Sequence, residues 1–129
     1  MDCLFCKIID GKIPSVKIWE DDGFFAFLDI NPVNTGHTLV IPKTHHDDIF
    51  DMDEDTYSSL FKAARKLGRA VKKAMGSKRV GIVVEGFLIP HVHIHLIPIN
   101  AGNELHTQKQ KRVGSEELER IAEKIRNQI

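Results

Sequence analysis

Three histidines alternate with apolar residues in the segment HVHIHLI, residues 91–97. Because successive side chains of a β-strand point to opposite faces, His91, His93 and His95 would share one face while the apolar residues enter the core. Imidazoles at this spacing repel one another once they are protonated, so a simple solvated face is a poor explanation of the pattern. The triplet therefore indicates a functional groove, although strands that bind metals use the same spacing.

Two cysteines, Cys3 and Cys6, form a Cys-x-x-Cys pair near the start of the chain. A reducing compartment would keep them as thiols, which leaves both available as metal ligands. The alternative interpretation is a pair of thiols that bind nothing.

The elements that position these residues follow from the hydrophobic pattern. The segments VKIWE and FFAFLDI flank a polar DDG turn, HTLVIP ends at Pro42, and RVGIVVE precedes HVHIHLIPI. Each is rich in residues that favour strands, and LFCKIIDGKIP before them predicts a short helical turn that ends at Gly11 and Pro14. The last two strands are close enough in sequence to pair antiparallel.

Two longer helices complete the predicted architecture. Asp51 with Glu54 fits a helix N-terminus, and apolar residues then recur at helical spacing over residues 54–75, up to Gly76. A second amphipathic helix is predicted for about residues 115–129. The order of strands and helices indicates the α+β class with a mainly antiparallel sheet.

Composition limits the remaining choices. The chain has 129 residues, of which 42% are hydrophobic and 28% charged, so a single domain over residues 1–129 is predicted. Its formal net charge of +0 predicts neither a nucleic-acid nor a membrane partner. With no apolar run of about 18 residues and no signal pattern at the start, we expect a cytoplasmic protein.

Taken together, these segments resemble the histidine triad (HIT) family. HVHIHLI fits its three-histidine pattern, FFAFLDINPVNTGHTLVIPKTHH resembles its upstream segment, and CLFCKIIDGKIP resembles its N-terminal opening, so the likeness covers most of residues 3–100. The resemblance implies a HIT-like α+β fold with a five-stranded mainly antiparallel sheet, one long helix and a C-terminal helix.

For function, the resemblance implies a nucleotide hydrolase or transferase that acts at the α-phosphate of an AMP-type purine nucleotide. His93 would be the nucleophile, and the backbone carbonyl of His91 would hold its ring. His95 would donate to a phosphate oxygen or to the leaving group, and His37 would contact the same phosphate.

Nucleotide binding is also carried over from the family. Asp29 would accept hydrogen bonds from the ribose hydroxyls, and an apolar pocket for the base would consist of Phe5, Ile8, Phe27 and Ile30. Asp29 has an alternative role as a turn residue before Asn31-Pro32, and the four apolar residues could simply belong to the core.

The resemblance further implies a structural zinc ion, as in the bacterial-type members of the family. Cys3, Cys6, His45 and His91 would be its ligands, with His46 as an alternative to His45. His106 receives no role. By analogy with the family we also expect a homodimer in which two sheets join, with the long helix as an element of the interface.

One segment departs from the phosphoramidase branch of the family. There a Gly-rich loop precedes the triad and supplies donors to the phosphate, whereas here VVEGFLIP is shorter and nearly apolar, with Glu85 in the position of an asparagine. Two alternatives to a hydrolase are therefore kept. One is a nucleotide-binding protein with a structural zinc and no turnover, and the other is a metalloenzyme in which the triad itself holds a catalytic metal.

Overall fold

The computed structural model describes residues 2–106 and 111–129 of the chain. Five strands form one sheet in the order β1-β2-β3-β5-β4, and all neighbouring strands are antiparallel. This confirms the predicted α+β fold with a long helix and a C-terminal helix. In chain order the elements are α1 (Leu4–Ile9), β1 (Lys17–Glu20), β2 (Phe24–Leu28), β3 (Thr38–Pro42), α2 (Glu54–Met75), β4 (Arg79–Val83), β5 (Ile94–Ile99) and α3 (Ser115–Arg126), with 3-10 turns at Ile49–Asp51 and Glu104–His106.

The two faces of the sheet are covered by different elements. Helices α2 and α3 pack on one face, where alternate strand residues enter the larger core. These strand residues are Ala26, Leu28, Val40, Ile94 and Leu96. The opposite face carries a smaller cluster in which α1 and its N-cap residue contribute Cys3, Phe5 and Ile8, packed on Phe25, Phe27, Leu39 and Ile41. Strands β2 and β3 are therefore buried along their whole length.

Helix α2 spans the predicted residues 54–75, but its N-cap is not the residue that the capping pattern predicts. Its N-cap is Asp53, whose carboxylate accepts a hydrogen bond from the amide of Thr56 at 3.0 Å. The predicted cap, Asp51, lies instead in the preceding 3-10 turn, which Asp48 caps. The helix ends as predicted, at Gly76, whose φ of 62° is the left-handed conformation that glycine adopts without strain. Within the described residues, no helix is long and apolar enough to cross a membrane.

The triad segment enters the sheet later than predicted. Strand β5 begins at Ile94, whereas the prediction began it at His91. Before that point the amide of Val92 donates to the carbonyl of His46 at 2.7 Å. This part of the chain therefore lies outside the regular hydrogen-bond ladder between β3 and β5. The alternation of faces nevertheless continues through the segment, because Val92 is 2% exposed and belongs to the larger core with Ile94.

Candidate functional site

The three triad histidines occupy two different environments. His93 and His95 line a cavity of about 360 Å³ on the α1 face of the sheet. His91 is 0% exposed and lies beside the two cysteines, outside the residues that line this cavity. The expectation that all three imidazoles face one groove is therefore wrong for His91.

His93 is held in one defined tautomer. Its Nδ1 donates to the carbonyl oxygen of His91 at 2.7 Å, which leaves Nε2 as the nitrogen without a proton in the neutral ring. The edge of Phe5 packs against the His93 ring with centroids 5.0 Å apart, so the imidazole is fixed by packing as well as by the hydrogen bond. An unprotonated ring nitrogen in a cavity has the chemistry of a nucleophile near neutral pH.

His95 is oriented by a hydrogen-bond chain that begins in the backbone. The amide N–H of Val33 donates to Nδ1 of His37 at 3.0 Å, so a neutral His37 carries its proton on Nε2. That nitrogen lies 2.9 Å from Nδ1 of His95 and donates to it, which places the proton of a neutral His95 on Nε2. The chain thus makes Nε2 of His95 a donor.

The structure corrects the predicted position of His37. The side chain is 1% exposed and lies behind His95, outside the residues that line the cavity. It therefore acts on the cavity through His95, whereas the sequence prediction had it contact a phosphate directly.

Asp29, His37 and His95 also form a group whose ligand atoms lie within 4.8 Å of one another, as in a metal site. The hydrogen bonds favour a different role. Because Val33 donates to Nδ1 of His37, the Nε2 atom of that ring carries a proton and is not available to a metal. The triad is also divided between two environments, so this geometry favours a proton-donor chain over the metalloenzyme alternative, in which the triad would hold a catalytic metal.

The predicted nucleotide-binding residues all line the same cavity. Phe5, Ile8 and Phe27 are buried in the smaller apolar cluster and present apolar surface to it, and Ile30, 42% exposed, lies at its edge. Asp29 lines the cavity too. One of its oxygens accepts a hydrogen bond from the amide of Asn31 at 2.8 Å, so the carboxylate stabilises the turn after β2 as well as facing the cavity.

A second cluster brings together Cys3, Cys6, His45 and His91, with all four ligand atoms within 4.8 Å of one another. Nδ1 of His91 lies 3.4 Å from Sγ of Cys3 and 3.6 Å from Sγ of Cys6, and Nδ1 of His45 lies 3.5 Å from Sγ of Cys6. Sulfur and nitrogen ligands of tetrahedral zinc are about 3.6 Å apart, as follows from metal–ligand bonds of about 2.3 and 2.0 Å. The cluster therefore has the donor set and spacing that zinc requires.

The remaining ring nitrogens of this cluster support the same conclusion. Nε2 of His91 donates to the carbonyl of Pro42 at 2.9 Å, and Nε2 of His45 donates to the carboxylate of Asp47 at 2.7 Å. Both Nδ1 atoms are thereby left unprotonated, as metal ligands must be. His46, the alternative ligand, is not a member of this four-residue group, and its backbone carbonyl accepts a hydrogen bond from the amide of Val92.

Burial sets the protonation of the cluster in the absence of a metal. Burial lowers the pKa of His91, which keeps this imidazole neutral. The pKa of the Cys6 thiol is raised, mainly by burial and also by the hydrogen bond with Cys3. A bound cation would have to displace the proton of Cys6. Metal binding at this cluster therefore releases protons and strengthens as the pH rises.

Several residues of the site were not found from the sequence. Asp47 orients His45 from two residues away, a local carboxylate–histidine spacing that is visible in the sequence THHDD. The amide of Val33 and the carbonyl of Pro42 gave no signal, because backbone groups act here irrespective of the side chain. His106 lies in a 3-10 turn and is exposed.

Comparison with known proteins places this geometry in a family. The family model described as "HIT domain" matches residues 10–102. An adenosine 5′-monophosphoramidase from Schizosaccharomyces pombe is 36% identical over 103 residues, which cover 76% of this chain and 74% of the relative. An adenylylsulfatase from Arabidopsis thaliana is 33% identical over 129 residues, which cover 96% of this chain and 66% of the relative.

Solved structures are similar over nearly the whole chain. A Hit-like protein from Bartonella henselae superimposes with a TM-score of 0.90 at 35% identity, covering 99% of this chain and 96% of that one. A zinc-bound histidine triad family protein from Mycobacterium smegmatis gives a TM-score of 0.84 at 29% identity, with 99% and 93% of the two chains covered.

Proposed function

Because the chain belongs to the HIT domain family, we propose that it is a nucleotide hydrolase or transferase that cleaves at the α-phosphate of an AMP-type purine nucleotide. The reaction would pass through a covalent intermediate in which the nucleotidyl group is attached to His93. Relatives named as an adenosine 5′-monophosphoramidase and an adenylylsulfatase support this class of reaction.

The observation that carries the proposal is the hydrogen bond from Nδ1 of His93 to the carbonyl of His91, 2.7 Å long. It fixes the tautomer in which Nε2 has no proton, and His93 lines the cavity in which a nucleotide would be bound. An imidazole prepared in this way attacks phosphorus without first losing a proton, which a serine or threonine hydroxyl could not do.

In the first step, Nε2 of His93 forms a bond to the α-phosphorus and the bond from phosphorus to the leaving group breaks. The leaving atom keeps the bonding electrons, accepts a hydrogen bond from Nε2–H of His95, whose donor role the His37 chain fixes, and takes its proton from solvent water. In the second step, water attacks the phosphorus, the His93 nitrogen leaves with its electron pair, and the proton that this water loses passes to solvent. Water and substrate thus give AMP and the protonated leaving group.

Nucleotide binding is assigned to the rest of the cavity lining. Phe5, Ile8, Phe27 and Ile30 would contact the base, since they provide its apolar surface. The Asp29 carboxylate, which accepts from the turn amide of Asn31 with one oxygen and lies 3.7 Å from Nε2 of His37 with the other, is assigned to the ribose hydroxyls because it lines the cavity.

We assign zinc a structural role at Cys3, Cys6, His45 and His91, because their donor set and spacing fit a closed four-ligand site. When bound, the ion would link the start of α1 to the segment that precedes β5. With all four residues as ligands, a tetrahedral ion would have no position for water, and we therefore assign the chemistry at phosphorus to the histidines.

The experiment that tests the proposal compares the native protein with H93A on adenosine 5′-phosphoramidate, an aminoacyl-adenylate and a diadenosine polyphosphate. We expect AMP release by the native protein to fall at least about a thousandfold in H93A, because the nucleophile is absent. Rapid quenching followed by mass spectrometry should find one nucleotidyl group on the native chain. H106A, which removes an exposed histidine outside the cavity, is the matched control.

Two results would contradict the proposal. Undiminished AMP release by H93A would exclude the covalent route. If the protein binds AMP but releases AMP from none of the substrates, the nucleotide-binding alternative would instead be favoured. The structural reason would be the connection before the triad, which has no side-chain donors at Phe87–Pro90.

A further inference from the structure

The cavity that contains His93 and His95 is bounded on one side by the connection between β4 and β5. We propose that Phe87 and Leu88 of this connection select substrates in which the α-phosphate is joined to an apolar amine rather than to a phosphate chain. Because it concerns the group that leaves the α-phosphate, this specificity rests on the proposed function.

The connection lies at the histidine end of the cavity. In the antiparallel ladder Val83, the last residue of β4, is opposite His95. The residues that follow Val83 therefore run beside the segment that leads to His93. Residues 85–89 all line the cavity, and within them Gly86 has a φ of 81°, a left-handed turn that redirects the chain.

Phe87 and Leu88 are exposed to an unusual degree for cavity-lining apolar residues. Their exposed fractions are 87% and 90%, whereas Ile89, the next residue, packs against the smaller core cluster. Two adjacent large apolar side chains left in water at the mouth of a binding cavity gain free energy when an apolar ligand covers them. A leaving group attached to phosphorus at His93 is the part of a substrate that would extend toward this side.

The charges of the cavity disfavour a phosphate chain. Among the described residues that line it there is neither lysine nor arginine, whereas Asp29 and Glu85 both contribute carboxylates. Lys111 and Arg112 are exposed and do not line it. Additional phosphates would bring negative charge close to Glu85 without the cationic side chains that usually bind them. An amine leaving group instead offers N–H donors that the Glu85 carboxylate accepts.

The experiment measures kcat/KM for three AMP derivatives: the unsubstituted phosphoramidate, the phosphoramidate of 2-phenylethylamine, and diadenosine tetraphosphate. We expect kcat/KM to be about tenfold higher for the phenylethylamine derivative than for the unsubstituted compound, as for a modest apolar contact in the transition state. The ratio of kcat/KM for the phenylethylamine derivative to that for diadenosine tetraphosphate should be larger still.

The variant F87S/L88S should reduce the ratio of the two phosphoramidate kcat/KM values to near one. F50S is the matched control, since Phe50 is 83% exposed but lies outside the cavity lining, and it should leave the ratio unchanged. E85Q should raise the relative kcat/KM for diadenosine tetraphosphate by removing a like charge. Circular dichroism of each variant verifies that the fold is retained.

The possible outcomes separate this inference from the proposed function. AMP release from the unsubstituted compound with no preference for phenylethylamine, or a preference that F87S/L88S does not reduce, overturns the specificity and leaves the hydrolase intact. Preferential cleavage of diadenosine tetraphosphate does the same. Absence of AMP release from all three compounds overturns both.

Discussion

At the scale of single residues, the site depends on which nitrogen of each imidazole carries the proton. His93, His95, His45 and His91 each have one ring nitrogen committed to a hydrogen bond with a fixed partner, and the other nitrogen is thereby assigned its function. His93 and the two histidines of the cysteine cluster present an unprotonated nitrogen, whereas His95 presents a donor. Under the proposed function, the same side chain would therefore serve as nucleophile, donor or ligand according to its partner.

Asp47 gives a residue-scale prediction. Its carboxylate accepts a hydrogen bond from Nε2 of His45, so D47N should weaken zinc binding about tenfold. This is the lower end of the range for residues that support metal ligands, because Asp47 is exposed. Competition with a chromophoric zinc chelator measures the affinity. D22A, which removes a carboxylate from the exposed turn between β1 and β2, is the control. Equal zinc affinities for native protein and D47N would show that the Asp47 carboxylate does not support metal binding by His45.

At the scale of elements, the sequence predicted the five strands and three α-helices of the described residues, but it misplaced the cap of α2 and the start of β5. The alternation of faces through β5 was visible because Val92, Ile94 and the histidines follow a strict period of two. The start of β5 was not visible, since the amide of Val92 donates its hydrogen bond to the carbonyl of His46, which is distant in sequence. The cysteine cluster could be named only through a family resemblance, because three separate segments must fold together before its spacing exists.

The corrected helix cap gives a prediction for α2. D53A should lower the free energy of unfolding by about 1 kcal/mol, because the amide of Thr56 loses its acceptor. D51A, the change at the cap that the sequence pattern favoured, should have a much smaller effect. Urea unfolding followed by circular dichroism compares the two, and a larger loss in D51A would contradict the assigned cap.

Removal of the metal tests the role of α1. With six residues this helix is too short to be stable alone, so it depends on packing and on the link from Cys3 and Cys6 to His91. We expect chelation of zinc to lower Tm by on the order of 10 °C and to speed amide exchange in residues 3–13. Exchange within α2 should change little at temperatures well below Tm. Identical exchange in α1 with and without chelator would exclude the structural role.

At the scale of the whole molecule, the two edges of the sheet differ. On β1 the guanidinium of Arg126 donates to the carbonyl of Lys17, so α3 partly covers that edge. On β4 the exposed Ile82, 51% accessible, lies on an edge strand beside α2. An open edge of this kind pairs readily with another strand. We therefore place the expected homodimer contact at β4.

A charge at this edge should separate the subunits. We expect the native protein to sediment as a dimer and I82E as a monomer, because two buried carboxylates would face each other across the joined sheets. F50E, which adds a charge at an exposed phenylalanine away from β4, should remain a dimer. A native protein that sediments as a monomer at high concentration would contradict the assembly.

His91 has a further consequence for the way such a protein evolves. Its side chain belongs to the cysteine cluster, but the group that holds the nucleophile is its backbone carbonyl, which every amino acid possesses. Selection can therefore act on the two properties separately. A descendant that lost both cysteines could replace the imidazole with any side chain that fills the same buried space, and the ring of His93 would still find its acceptor. A metal site at the cysteine cluster could thus be lost by mutation while the backbone acceptor for the His93 ring is kept.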